Sequence, residues 1–180
     1  LRPVRAVLLL AVIGWLATAW LPSASGQPPR SKGQKPAPSP GVADYRSRDF
    51  FIHTDLAPQE AQALLKELET MLRLISAYWG RPPRGLIECF VVKDLSAWPG
   101  ELLASFDPQG LAKIREGTGA CLGRTISSGN RFVSKSVVYA VAEKAVPKHE
   151  SVHAFSIQAF GKTGPKWYAE GVAEMGAYWG

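Results

Sequence analysis

The sequence is poor in cysteine, in histidine and in long apolar runs, and each shortage narrows what the chain can be. Two cysteines in 180 residues exclude a disulfide-dense scaffold, and Cys89 and Cys121 lack the CxxC spacing of a metal knuckle or redox pair. The most apolar segment, Ala6–Leu21, has 16 residues, short of the about 20 that a membrane span needs. Acidic residues are missing from the first 41 positions, which hold Arg2, Arg5, Arg30, Lys32 and Lys35. The net charge of +6 therefore arises almost wholly there, since residues 42–180 carry 16 basic against 15 acidic side chains. Those charges are scattered, with no Lys/Arg run and no basic stripe interleaved with aromatics, so nucleic-acid binding is not expected. At 46% hydrophobic and 20% charged, the chain has the composition of a folded domain.

Arg2 and Arg5 precede the apolar run, and Pro22-Ser23-Ala24-Ser25-Gly26 follows it. A positive start, an apolar middle and a small-residue end make residues 1–26 a secretory signal peptide, with cleavage after Ser25 or Gly26. An uncleaved signal anchor is the rival reading, disfavoured by the shortness of the run. No cysteine lies near the cleavage zone, so a lipid anchor is not expected. The protein is thus read as exported, to a periplasm, cell envelope or medium, touching the membrane only in transit. Residues 27–41 hold five prolines and three basic side chains with nothing apolar to bury, and read as a Pro-rich basic linker. In an exported chain Cys89 and Cys121 either form one disulfide or stay two buried thiols; the sequence leaves both open.

Residues 42–180 form the domain. Arg48 to Thr54 reads as a strand, and Asp55 as the cap of a helix running from Pro58 to about Trp79. Its apolar positions Ala61, Leu64, Leu65, Leu68, Leu72 and Ile75 recur at three- and four-residue steps and predict one buried stripe. Leu86 to Val92 is apolar enough for a central strand. Short helices are expected over Leu95–Ala104 and Pro108–Glu116. Gly119–Ile126 and Phe132–Ala142 predict a hairpin. A helix from Glu143 to Phe160 and another from Pro165 to Tyr178 complete the chain. This order predicts an α+β fold with a mixed or antiparallel sheet followed by a helix pair.

The chemistry sits in His149-Glu150-Ser151-Val152-His153. Residues four apart on a helix differ by about 40° around the axis and about 6 Å along it, so both imidazoles can face one point. Two neutral His nitrogens suit a divalent ion, with zinc the default. Glu150, about 100° away on the flank of that stripe, can reach a metal-activated water without ligating the metal, as a general base must. A catalytic zinc needs a third ligand, and Glu170 follows 17 residues after His153, on the next helix. Gly171 and Ala173 flank it with little side chain, predicting close helix approach. Glu174, one turn on, can accept a hydrogen bond from the second ring nitrogen of a ligating His. His53, alone near a strand end, reads as an ordinary polar residue.

The two segments together, His149-Glu150-x-x-His153 and Pro165-Lys166-Trp167-x-x-Glu170-Gly171-x-Ala173-Glu174, resemble the gluzincin metallopeptidases, in particular their bacterial peptidase-MA-like members. The resemblance implies zinc, one ion per chain, held by His149, His153 and Glu170. It implies Glu150 as the catalytic group, Glu174 as the acidic residue beyond the third ligand, and a peptide or protein substrate. It also implies a zincin-like fold in which a sheet edge strand lies beside the cleft, a role that Val137-Val138-Tyr139-Ala140 could fill. The family's transition-state Tyr or His comes from a later helical segment, so residues 42–180 are expected to be an incomplete domain. Two other functions stay open. One is a non-catalytic cell-envelope binding module that retains the zinc site; the other is an anionic-polymer binder acting through the linker.

Overall fold

The computed structural model describes residues 41–129, 131–143 and 145–179. The signal peptide and nearly all of the linker read from the sequence lie outside the described residues. From Gly41 onward the chain builds one five-stranded mixed sheet with helices on both faces. The strands are β1 (Ala43–Arg46), β2 (Phe50–Thr54), β3 (Ile87–Val92), β4 (Gly119–Ser128) and β5 (Arg131–Val141). Their spatial order is β1-β2-β3-β5-β4. β2, β3 and β5 run parallel, and the outer strands β1 and β4 are antiparallel to their neighbours. The fold is therefore α+β, with a mixed rather than a purely antiparallel sheet.

The helices are α1 (Pro58–Trp79), α2 (Gly100–Ala104), α3 (Pro108–Arg115), α4 (Ala145–Phe160) and α5 (Lys166–Tyr178). α1 buries Ala61, Leu64, Leu65, Leu68, Leu72 and Ile75, joined by Met71. It lies with α4 on one face of the sheet, over Phe50, Ile52, Ile87, Cys89, Val91, Val138 and Ala140. A smaller core on the opposite face joins Val92, Trp98, Phe106, Ile114 and Tyr139. The alternation along β3 and β5 thus divides two apolar sets between the two faces, as a covered sheet requires.

Several details differ from the sequence reading. Asp55 does not cap α1. Its carboxylate accepts from the backbone N–H of Lys93 and of Asp94, both at 2.7 Å, and so ties the end of β3 to the start of α1. Ala57 is the cap residue, and its N–H donates to the Glu60 carboxylate at 3.1 Å. The helix expected over Leu95–Ala104 splits into a 3-10 turn (Leu95–Ala97) and α2, because Pro99 interrupts it. β1 was not anticipated. The segment Val137–Ala140 is not an edge: β5 lies between β3 and β4, and β4 is the edge strand.

That order also resolves the cysteines, which are both free thiols. Cys89 on β3 and Cys121 on β4 pair with Val138 of β5 from opposite sides. Two inter-strand steps put their Cα atoms about 9–10 Å apart, beyond the about 7 Å that a disulfide can bridge.

Candidate metal centre

α4 sits in the middle of the molecule and is buried on most of its circumference. Gln158 Nε2 donates to Leu86 O and Ser136 Oγ, each at 3.2 Å, and Ser136 Oγ donates to Ala154 O at 3.3 Å, so these buried hydrogen bonds pin the helix to the sheet. One line along α4 is only half-buried: Val146, His149, His153, Ile157 and Phe160. Steps of three and four residues make it a single stripe. His149 and His153, in its middle, line a cleft of about 670 Å³ whose walls include Ala120, Cys121, Glu150, Thr163, Lys166 and Glu170.

Within that cleft three atoms converge. His149 Nε2 lies 3.3 Å from His153 Nε2 and 3.2 Å from Glu170 Oε2, and His153 Nε2 lies 3.6 Å from Glu170 Oε2. Glu174 Oε2 faces the other nitrogen of His149, Nδ1, at 3.4 Å. A proton on Nδ1 directed at Glu174 leaves the Nε2 lone pair pointing into the triangle. Burial, and then the neighbouring His149, hold the His153 imidazole below its usual pKa, partly countered by Glu170. His153 is thereby biased to the neutral, ligating form. Acceptor atoms this close repel one another unless a proton or a cation lies between them. Among the described residues, His149, His153 and Glu170 are a group of side chains that could hold a metal ion.

Glu150 packs against β4 and is 9% exposed. The backbone N–H of Cys121 donates to its carboxylate. Gly119 makes the room: a Cβ there would lie 2.8 Å from Glu150 Cγ and 2.7 Å from Val146 Cγ1. Desolvation pushes the Glu150 carboxyl up to about 7, with His149 opposing and Glu170 assisting. In the metal-free protein the folded state therefore favours protonated Glu150. The stability this contributes is complete below about pH 4.5, the unfolded value, and is lost as pH rises through about 7. His153, with its lowered value, contributes in the opposite sense, so the Glu150 part is isolated by substitution. Metal-free wild type should lose roughly 3 kcal/mol relative to metal-free Glu150→Gln between pH 5 and pH 8. Chemical denaturation of both proteins at a series of pH values, in chelator, reads this difference.

The third and fourth groups come from α5, and its seating on α4 differs in detail from the sequence reading. Gly171 does not make the close approach, since a Cβ there would meet nothing within 4 Å. Ala173 is fully buried and does pack inward. The tightest contact is at Gly176, where a Cβ would fall 2.3 Å from Val152 Cγ2. Gly176→Ala should push α5 off α4 and carry Glu170 away from the histidines. It should weaken metal binding at least tenfold, by analogy with the loss of supporting groups, with far-ultraviolet circular dichroism near wild type. Isothermal titration of the purified variant measures the change.

The structure brings His149, Glu150, His153 and Glu170 to one cleft, sets Glu174 in a second pocket that shares His149 and Glu150, and places His53 elsewhere. His53 is on β2, between Asp44 at 2.8 Å and Glu88 at 3.5 Å, stacked on Phe90. Missed in the sequence were Gly119 and Cys121, which hold Glu150 from the edge strand. A signal was present: Gly119, Cys121 and Gly123 are small residues at every second position of a strand, a face that a helix can approach closely. Gly123 serves that approach too, with a Cβ there only 2.7 Å from Ile157 Cδ1. Comparison with protein-family models, with curated proteins and with solved structures finds no match to this chain.

Proposed function

We propose that the chain is an exported zinc-dependent metallopeptidase of the gluzincin kind, with a zincin-like domain from residue 42 onward. The observation that carries this reading is the convergence of His149 Nε2, His153 Nε2 and Glu170 Oε2 with separations of 3.2–3.6 Å. Tetrahedral zinc with bonds of about 2.0–2.1 Å sets its ligand atoms about 3.3–3.4 Å apart, so the donor set fits in both chemistry and spacing. Two imidazoles and one carboxylate also match the ligand count of a catalytic rather than a closed structural site. When bound, zinc supplies Lewis acidity toward water and toward a substrate carbonyl.

The remaining chemistry belongs to the chain. Glu150 borders the same cleft without joining the ligand triangle. Its carboxylate, held by the Cys121 amide, is placed to take a proton from the attacking water and return it to the leaving amine. Glu174 fixes the ring orientation of His149. Edge strand β4, beside the cleft, offers unpaired backbone groups to an extended peptide. Export rests on residues 1–26. Among the described residues no helix is long and apolar enough to cross a membrane.

The test is cleavage of a mixed peptide library by the zinc-loaded chain, with zinc measured per chain. One zinc and cleavage that stops on replacing Glu150 support the reading. One zinc with no Glu150-dependent cleavage favours the non-catalytic binding module, and no zinc removes both.

A further inference from the structure

We infer that an aromatic cavity adjoining the metal cleft is a specificity pocket, which takes a bulky apolar side chain two or three residues from the bond that is cut. This rests on the peptidase reading above. The cavity, about 260 Å³, is lined by Trp79, Ser156, Phe160 and Tyr168, with Lys162, Thr163 and Gly164 from the loop after α4. A cavity of about 150 Å³ already takes a benzene ring, so there is room for a phenylalanine side chain.

Three observations connect it to the chemistry. Thr163 and Gly164 line both the cavity and the metal cleft, so the two are neighbours across one short loop. Gly164 lacks the Cβ that would sit 3.6 Å from Tyr168 Cδ1 and narrow the passage, and its φ of 88° suits glycine there. The half-buried stripe of α4 that carries His149 and His153 also runs on through Ile157 to Phe160. Ser156 and Phe160, three and seven residues past His153, lie about 4.5 and 10 Å farther along the helix. An extended peptide advances about 3.3 Å per residue, which sets the offset of two or three residues.

The walls are preformed and apolar in character. Trp79 stacks on Phe155 at 5.6 Å and meets Phe160 edge-on at 5.7 Å. Its indole N–H donates to Tyr168 Oη at 3.2 Å, and Ser156 Oγ donates to Val152 O at 2.9 Å. The Trp79 indole N–H and the Ser156 hydroxyl therefore already have partners inside the protein, leaving ring faces for the occupant. Apolar contact, not hydrogen bonding, must do the selecting.

The experiment uses matched peptides carrying Phe, Leu, Ala or Asp at each of three positions on either side of the cleaved bond. At one position, two or three residues away, Phe and Leu should exceed Ala in kcat/KM by about tenfold or more, and Asp should fall below Phe and Leu. Ser156→Phe, which fills the cavity from α4 at a position that does not line the metal cleft, should erase that preference while the all-Ala peptide is cut as before. A second readout needs neither zinc nor turnover. N-acetyl-phenylalaninamide should shift the indole N–H resonance of Trp79 in metal-free wild type, N-acetyl-alaninamide should not, and Ser156→Phe should abolish the shift. Glu150-dependent cleavage with no positional preference overturns the pocket and leaves the peptidase reading intact. A Trp79 shift without cleavage of any peptide supports the pocket and sinks the peptidase reading. Absence of both the shift and the preference overturns the inference.

Discussion

Glu150→Gln should lower kcat by about 10²–10⁴-fold while zinc content and affinity stay near wild type. The two halves of that result come from different parts of the geometry. In the proposed site metal affinity would come from His149, His153 and Glu170, whose donor atoms face one another. Glu150 packs against β4, so losing its charge removes a base and not a ligand. Glutamine has the same shape and can still accept from the Cys121 amide, so the side chain should stay in place. It cannot take a proton from water at neutral pH, and that function alone is deleted. Zinc measured per chain beside initial rates on one good peptide separates the two effects. Parallel loss of zinc and activity would mean that Glu150 acts on the metal set, and equal activity in both proteins would remove it from the chemistry.

Glu170→Ala should cost the largest share of metal affinity of any single change on α5, a drop of about 100-fold or more. Glu174→Ala, which removes only the partner of His149 Nδ1, should cost about 10–100-fold. The ranking follows from position: Glu170 Oε2 lies 3.2 and 3.6 Å from the two histidine nitrogens that form the triangle, whereas Glu174 reaches the far side of one ring. Both carboxylates are at least half exposed, so removing either leaves no buried charge behind and the fold should tolerate it. Because a ligand that binds only the folded state stabilises it by mass action, the zinc-induced rise in Tm should shrink in the same order. Titration of zinc against a competing chelator, for wild type and both variants, gives the three affinities. An unchanged affinity in Glu170→Ala would take this residue out of the ligand set.

Much of the domain could be read from periodicity because its elements bury one face each. The three- and four-residue stripe from Ala61 to Ile75 is the buried face of α1. The apolar run at Ile87–Val92 is a strand covered on both sides, and it is the middle strand of five. The spacing of His149 and His153 brought both rings to one side of one helix, since an i,i+4 relation is local geometry. What escaped depended on partners distant in sequence. Asp55 looked like a cap, but its carboxylate serves the amides of Lys93 and Asp94, almost 40 residues on. The hairpin was visible, yet which of its strands faces outward depends on β3 choosing β5 as its neighbour, and both strands alternate well enough to sit inside. The approach of α5 to α4 was expected at Gly171 and Ala173; Ala173 is buried, but the tightest contact is at Gly176 and not at Gly171, because the meeting face is set by the turn of α5 and not by nearness to Glu170. The half of the site on α4 was therefore legible as spacing. The half contributed by β4, the Gly119 gap and the Cys121 amide, becomes visible only once the sheet order is known.

The most direct measurement is zinc X-ray absorption on the zinc-loaded chain. Two imidazole nitrogens with carboxylate and solvent oxygens, all at about 2.0–2.1 Å, and a carboxylate contribution lost in Glu170→Ala, are the result expected of a centre made by His149, His153 and Glu170. A sulfur at about 2.3 Å, which would bring Cys121 into the set, or a spectrum without imidazole, would contradict it.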